Sequence, residues 1–226
     1  METDDKVLYL SLLLTFVAGF CDTVTFIAAD ELFSAHVTGN FIVFAYHVVQ
    51  DAATANWAKL LSFPVFVAAV VAGRWLAQKS TNHYALLLAE GGLLLTSGLL
   101  ALVLAWTGTA APWLWQLTAM TVVFALGLQN TFGKLFAKET YGPTTVMTGN
   151  VTQAALDVAE RLAGPRREPG PTGSVKNQLL VIGGFLFGCL TGAIGAKLLG
   201  LWPVALPGLL LLGLAFFRGA SNRETK

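Results

Sequence analysis

Asp22 is the only charged residue between Val7 and Ala29. An acid inside so apolar a run is expensive in a bilayer and is usually functional. It can bind a cation, carry a coupling proton or hydrogen-bond a neighbouring turn. The tripeptide Thr38-Gly39-Asn40 follows, and it recurs 110 residues later as Thr148-Gly149-Asn150. Thr and Asn cap helix starts, and Gly permits close backbone approach. A helix beginning at such a motif leaves its first N–H groups free, with a partial positive charge at that end. In a membrane those groups need a partner: a polar solute, water or a neighbouring span.

The polar residues continue beyond each tripeptide. Asn40, His47 and Gln50 match Asn150, Asp157 and Glu160 at the same offset of 110. Steps of seven and three place them on roughly one helical face. Gln153 joins the second row, whereas Val43 interrupts the first. His47, Gln153 and Asp157 are therefore expected to line a polar path. The alternative is that these rows hold helices together, with Asn and Thr satisfying neighbouring spans. Upstream, Gly19-Phe20-Cys21-Asp22 has its counterpart in Gly127-Leu128-Gln129-Asn130, which pairs Asp22 with Asn130. The candidate solute-binding set is Asp22, Thr38, Gly39, Asn40, Asn130, Thr148, Gly149 and Asn150. Glu90 lies near one end of its apolar run, and His36 reads as a local hydrogen-bonding residue.

These residues sit in a chain of 226 residues that is 55% hydrophobic and 12% charged, with a mean hydropathy of +0.65. Soluble domains carry about 25% charged residues. Apolar segments occur at Val7–Ala29, Leu60–Ala77, Tyr84–Trp106, Trp113–Phe132, Gln178–Ala196 and Trp202–Phe217. Runs of about 20 apolar residues are long enough to cross a bilayer. The segments following each tripeptide are shorter and suit re-entrant or broken helices. The expected fold is an all-α integral membrane protein with six transmembrane helices and two short helices. Residues 1–226 form one membrane domain, with a first repeat over 7–106, a second over 113–217 and a cytoplasmic linker at 164–176.

If the short helices do not cross, each half has three spans and the halves are inverted. With the amino terminus inside, 12 of the Lys and Arg residues lie inside and 2 outside. If the short helices do cross, the division is 9 to 5. Cytoplasmic loops carry the excess of Lys and Arg, so the inverted arrangement is favoured, with both termini cytoplasmic. Paired interrupted segments in two halves point to a transporter-like midplane site.

A net charge of +1 gives no footprint for nucleic acid. Cys21 and Cys189 lie in apolar segments without disulfide or metal spacing. No Ser-His-Asp order, phosphate loop or nucleotide fingerprint is present, so no catalytic residue, cofactor or metal is assigned. The stripe Gly184, Gly188, Gly192 permits close helix packing and admits a homo-oligomer. Gly19 to Asp22, Gly127 to Asn130 and Met147 to Asn150, taken in order, resemble the YoaK-like bacterial membrane proteins, domain of unknown function 1275. The resemblance runs from roughly Leu8 to Phe217 and implies a bacterial inner-membrane location. The leading expectation is a small-solute transporter or channel, with the bilayer and a small polar solute as its partners. The alternatives are a membrane accessory or scaffold subunit, or a membrane-embedded enzyme.

Overall fold

The computed structural model describes residues 2–50, 57–163 and 175–224. Eight α-helices follow one another: α1 (Glu2–Ala28), α2 (Gly39–Gln50), α3 (Ala58–Lys79), α4 (Ala85–Trp106), α5 (Pro112–Leu135), α6 (Thr148–Ala163), α7 (Val175–Leu199) and α8 (Ala205–Glu224). Single 3-10 turns occur at Ala137–Glu139 and Trp202–Val204, and no strand occurs among the described residues. The expected linker lies almost wholly outside the described residues.

All six expected apolar segments coincide with helices. Four helices are long and apolar enough to cross a membrane: α1 from Asp5, α3, α4 and α7. α5 has 24 residues, but Gln116, Gln129 and Asn130 interrupt its apolar run. The apolar stretch that opens with the second 3-10 turn and runs into α8 includes Trp202–Leu214. α2 has 12 residues and α6 has 16. At 1.5 Å per residue they reach about 18 and 24 Å, short of a hydrocarbon core about 30 Å thick.

Three hydroxyls of α1 are satisfied within the helix. The hydroxyls of Ser11, Thr15 and Thr25 donate to the carbonyls of Val7, Ser11 and Cys21, each one turn earlier. A hydroxyl bonded to a carbonyl one turn earlier is not left unpaired in apolar surroundings. Much of the apolar surface faces outward. Only 17% of the apolar window of α3 and 22% of that of α7 is buried inside the protein. Phe187, Leu190, Ile194 and Leu198 along α7 are all exposed. A soluble monomer does not present such a face, whereas lipid covers it without penalty.

Helix pairing follows from small residues. α1 packs along α7 and α3 along α5, while α4 packs against both α5 and α8. The short helices rest on their followers, α2 on α3 and α6 on α7. Between lipid-facing helices, close backbone approach replaces the hydrophobic effect as the source of affinity. A Cβ on Gly188 would overlap the Phe16 carbonyl, and one on Gly19 would overlap the Phe185 carbonyl. The glycine stripe of α7 is thus used inside the chain, against α1. Gly188→Leu is expected to lower stability by about 1–3 kcal/mol through overpacking. Gly183→Leu, whose Cβ meets nothing within 4 Å, should not lower it. Thermal unfolding of the two purified variants in detergent makes the comparison.

Candidate functional site

The site begins where α1 hands over to the loop before α2. Asp30 and Glu31 both adopt φ of 54°, a left-handed conformation that reverses the chain. Lys59 and His47 brace that bend. The fully buried Lys59 ammonium donates to the Asp30 carbonyl and lies 3.1 Å from the Asp30 carboxylate. His47 Nε2 lies 2.8 Å from Glu31 Oε2.

The reversed chain folds back over Asp22. Asp22 Oδ1 accepts the Ala35 N–H at 2.6 Å, with longer contacts from His36 N–H at 3.4 Å and Ser34 Oγ at 3.5 Å. Its Oδ2 lies 2.6 Å from His36 Nδ1. The carboxylate therefore organises the loop and orients one imidazole. The hydrogen bond to Asp22 raises the His36 pKa above its usual value; partial burial opposes the rise, and the carboxylate charge adds to it. Opposite charge and a donated hydrogen bond both favour the imidazolium.

The tripeptides close two matched loops. Asn40 Oδ1 accepts the Phe33 N–H, and its Nδ2 donates to the Phe33 carbonyl and to Ser62 Oγ, each at 2.8 Å. Asn150 Nδ2 donates to the Pro143 carbonyl at 3.1 Å. Pro143 stands seven residues before Asn150, as Phe33 stands before Asn40. Proline has no N–H. The buried Asn150 Oδ1 correspondingly has no partner. Each loop is also tied to the preceding long helix, though by a different bond. Asn130 Nδ2 donates to Thr145 Oγ1 at 2.8 Å, and Thr145 lies 110 residues after Ala35, the residue held by Asp22.

The sequence led us to expect free N–H groups at the helix starts. At α2 that expectation is corrected. The N–H groups of Gly39, Asn40 and Phe41 bond to the carbonyls of His36, Val37 and Thr38 at 2.7, 3.2 and 3.3 Å. Tight 3-10 geometry in the first turn takes up the orphan donors.

One cavity of about 670 Å³ brings the two tripeptide segments together. Thr38 and Gly39 line it from the first and Thr148 from the second. Asp22 and Thr23 on α1, His36 on the loop and Cys189 on α7 complete its polar rim, and Phe26, Phe33 and Phe185 form apolar wall. Asn40 and Asn150 lie buried outside this lining. Gly149 is exposed beside Thr148 and is not part of the lining either. Asn130 lines a separate cavity of about 160 Å³ with Lys134, Thr144 and Thr145.

The expected path-lining residues are placed differently from the cavity. His47 pairs with Glu31, as above. Asp157 accepts from Gln153 Nε2 at 2.7 Å and from Gln178 Nε2 at 3.1 Å, which ties α6 to α7. Glu90 is fully buried on α4, with both carboxyl oxygens lacking a partner. It is buried although it lies near one end of its apolar run. Among the described residues no group of three His, Cys, Asp or Glu side chains is placed to hold a metal. His36 was underweighted by sequence reasoning. Its pairing with Asp22, 14 residues earlier, depends on a chain reversal that no glycine announces.

The fold and this cavity define an α-helical membrane protein whose two similar segments line one cavity, its walls largely apolar with a few polar groups. A family model described as a protein of unknown function, DUF1275, matches residues 10–217, and the chain belongs to that family. No curated protein and no solved structure matches it.

Proposed function

We propose that this protein carries a small solute across the bacterial inner membrane, as a transporter or channel. The observation that carries the reading is the chamber itself: Thr38 and Gly39 from one tripeptide and Thr148 from the other face the Asp22–His36 pair. Asn40, Asn130 and Asn150 serve as the frame that holds the loops, and the lining residues meet the solute. A pocket of this size with a few convergent polar groups suits a small molecule.

The helix pairing supports two repeats over 7–106 and 113–217, and the Lys and Arg distribution supports their inversion. α1 on α7 exchanges into α5 on α3 when the halves are swapped, and α2 on α3 exchanges into α6 on α7. The scaffold alternative needs the glycine stripe for a partner, yet Gly188 and Gly192 already face the backbone of α1.

The inverted arrangement places the α3–α4 loop inside and the α4–α5 loop outside. In a background lacking Cys21 and Cys189, Thr81→Cys should label only from the cytoplasm and Ala110→Cys only from outside. Ala110 is preferred to Gly108, whose φ of 63° disfavours a side chain. Labelling of Thr81→Cys from outside contradicts the inverted reading. Transport is tested by an uptake screen in proteoliposomes across inorganic ions, amino acids, nucleobases and small acids. The proposal expects one class to accumulate above protein-free vesicles; no flux for any class contradicts it.

A further inference from the structure

We infer that the chamber binds a small monocarboxylate together with one proton, the proton residing on His36 and the carboxylate meeting its Nε2–H. The inference rests on the transport-site reading of the chamber and names the chemistry of its solute.

The argument starts from which polar atoms remain available. Asp22 is already used on both oxygens, by the Ala35 N–H at 2.6 Å and by His36 Nδ1 at 2.6 Å. It is a poor ligand for a cation in this arrangement and a good orienter of the imidazole. With Nδ1–H directed at Asp22, His36 Nε2 is left without a hydrogen-bond partner among the described residues. The His36 side chain is 31% exposed and lines the chamber. A second-group hydrogen bond of this kind fixes which ring nitrogen is available.

The surroundings narrow the choice of solute. Among the lining residues the titratable groups are Asp22 on α1, His36 on the loop and Cys189 on α7. The walls from α2 and α6 carry none, and no Lys or Arg lines the chamber. Neutral His36 presents a bare Nε2, an acceptor that offers nothing to a carboxylate. Protonated His36 presents an N–H donor bearing charge, and hydrogen bonds between charged partners are the strong ones. The hydroxyls of Thr38 and Thr148 can donate to the second carboxylate oxygen. Phe26, Phe33 and Phe185 suit an apolar body behind it.

The charge balances. One proton binds at Nε2, one carboxylate binds beside it, and the two leave together, so each cycle moves no net charge. Asp22 acts as a positioning residue: its carboxylate holds the ring and favours the imidazolium, which is consistent with the raised His36 pKa.

The test is binding to the intact protein in detergent, with benzoate and isobutyrate as probes and benzamide and isobutyramide as uncharged isosteres. Both acids stay ionised between about pH 6 and about pH 8.5, because carboxyl groups titrate near 4. The protein alone can then impose a pH dependence. Affinity for the acids is expected to fall roughly tenfold or more across that range, a change of about 1.4 kcal/mol or more. The amides should bind weakly and without pH dependence. His36→Gln should abolish the pH dependence, and Asp22→Asn should move it to lower pH. If either variant fails to fold, the wild-type profile still decides, together with NMR of ¹³C-histidine-labelled protein. In that spectrum the His36 resonance should shift on benzoate addition while those of His47 and His83 stay in place. Equal binding of acids and amides, acid binding independent of pH, no binding of either acid, or an unmoved His36 resonance overturns the inference. Carboxylate binding with the predicted profile but no flux in vesicles upholds the inference and overturns the transport reading.

Discussion

Asp22→Leu should destabilise the protein by about 1–3 kcal/mol, the cost typical of leaving a buried hydrogen-bond donor without its acceptor. Leucine leaves the Ala35 N–H buried without an acceptor, since Ala35 is only 3% exposed. It also leaves the His36 ring without its anchor. Asp22→Asn should cost less, because one amide oxygen still accepts the Ala35 N–H. The pair also gives the wild type a pH dependence of known sign. His36 has a folded pKa raised above its unfolded value. Its contribution is therefore fully present below the ordinary imidazole value of about 6.5 and is lost as pH rises through the raised one. Thermal unfolding of wild type, Asp22→Asn and Asp22→Leu against pH measures all of this. A slope that persists undiminished in Asp22→Asn would assign the titration to another group.

Asn40→Ala should cost about 3 kcal/mol, and Asn150→Ala about 1 kcal/mol or less, although the two residues share one motif. Each buried group left unpaired costs roughly 1–3 kcal/mol. Asn40 satisfies both backbone groups of Phe33 and also Ser62 Oγ. Asn150 bonds the Pro143 carbonyl and otherwise makes only a 3.9 Å contact to Met147 Sδ. Its removal also eliminates a buried oxygen that has no donor. Pro143→Ala supplies an N–H at the position where Phe33 donates in the first loop. In that background Asn150→Ala should become more damaging, by the coupling expected of residues in direct contact. Equal losses for Asn40→Ala and Asn150→Ala in the wild type would mean that the two loops are not held as described.

The helices were legible because they are written in local pattern. Apolar runs mark α1, α3, α4, α5 and α7, and the tripeptides mark the starts of α2 and α6. The offset pairing of Asp22 with Asn130 was legible too, and both turn out to hook the loop before the short helix. The partners of these residues were not legible. Whether Asn40 faces a solute or the Phe33 backbone is decided by the path of the loop between α1 and α2. That path depends on two left-handed residues, Asp30 and Glu31, neither of which is the glycine usual at such φ. Lys59, held against Asp30, comes from another helix and reads in the sequence as a charge beside a span. The Gly184–Gly192 stripe announced close packing, but nothing in its spacing could say that the neighbour was α1.

The central claim is that both tripeptide segments face one solute chamber. Its most direct test uses Thr38→Cys and Thr148→Cys, each in a background lacking Cys21 and Cys189, reconstituted in vesicles that show flux of the solute found by screening. A charged methanethiosulfonate is added, and flux is measured before and after, with Gly183→Cys as a lipid-side control. Labelling at Thr38 and labelling at Thr148 should each block flux, and prior solute should slow both reactions. Full labelling at either position with flux unchanged would contradict the account.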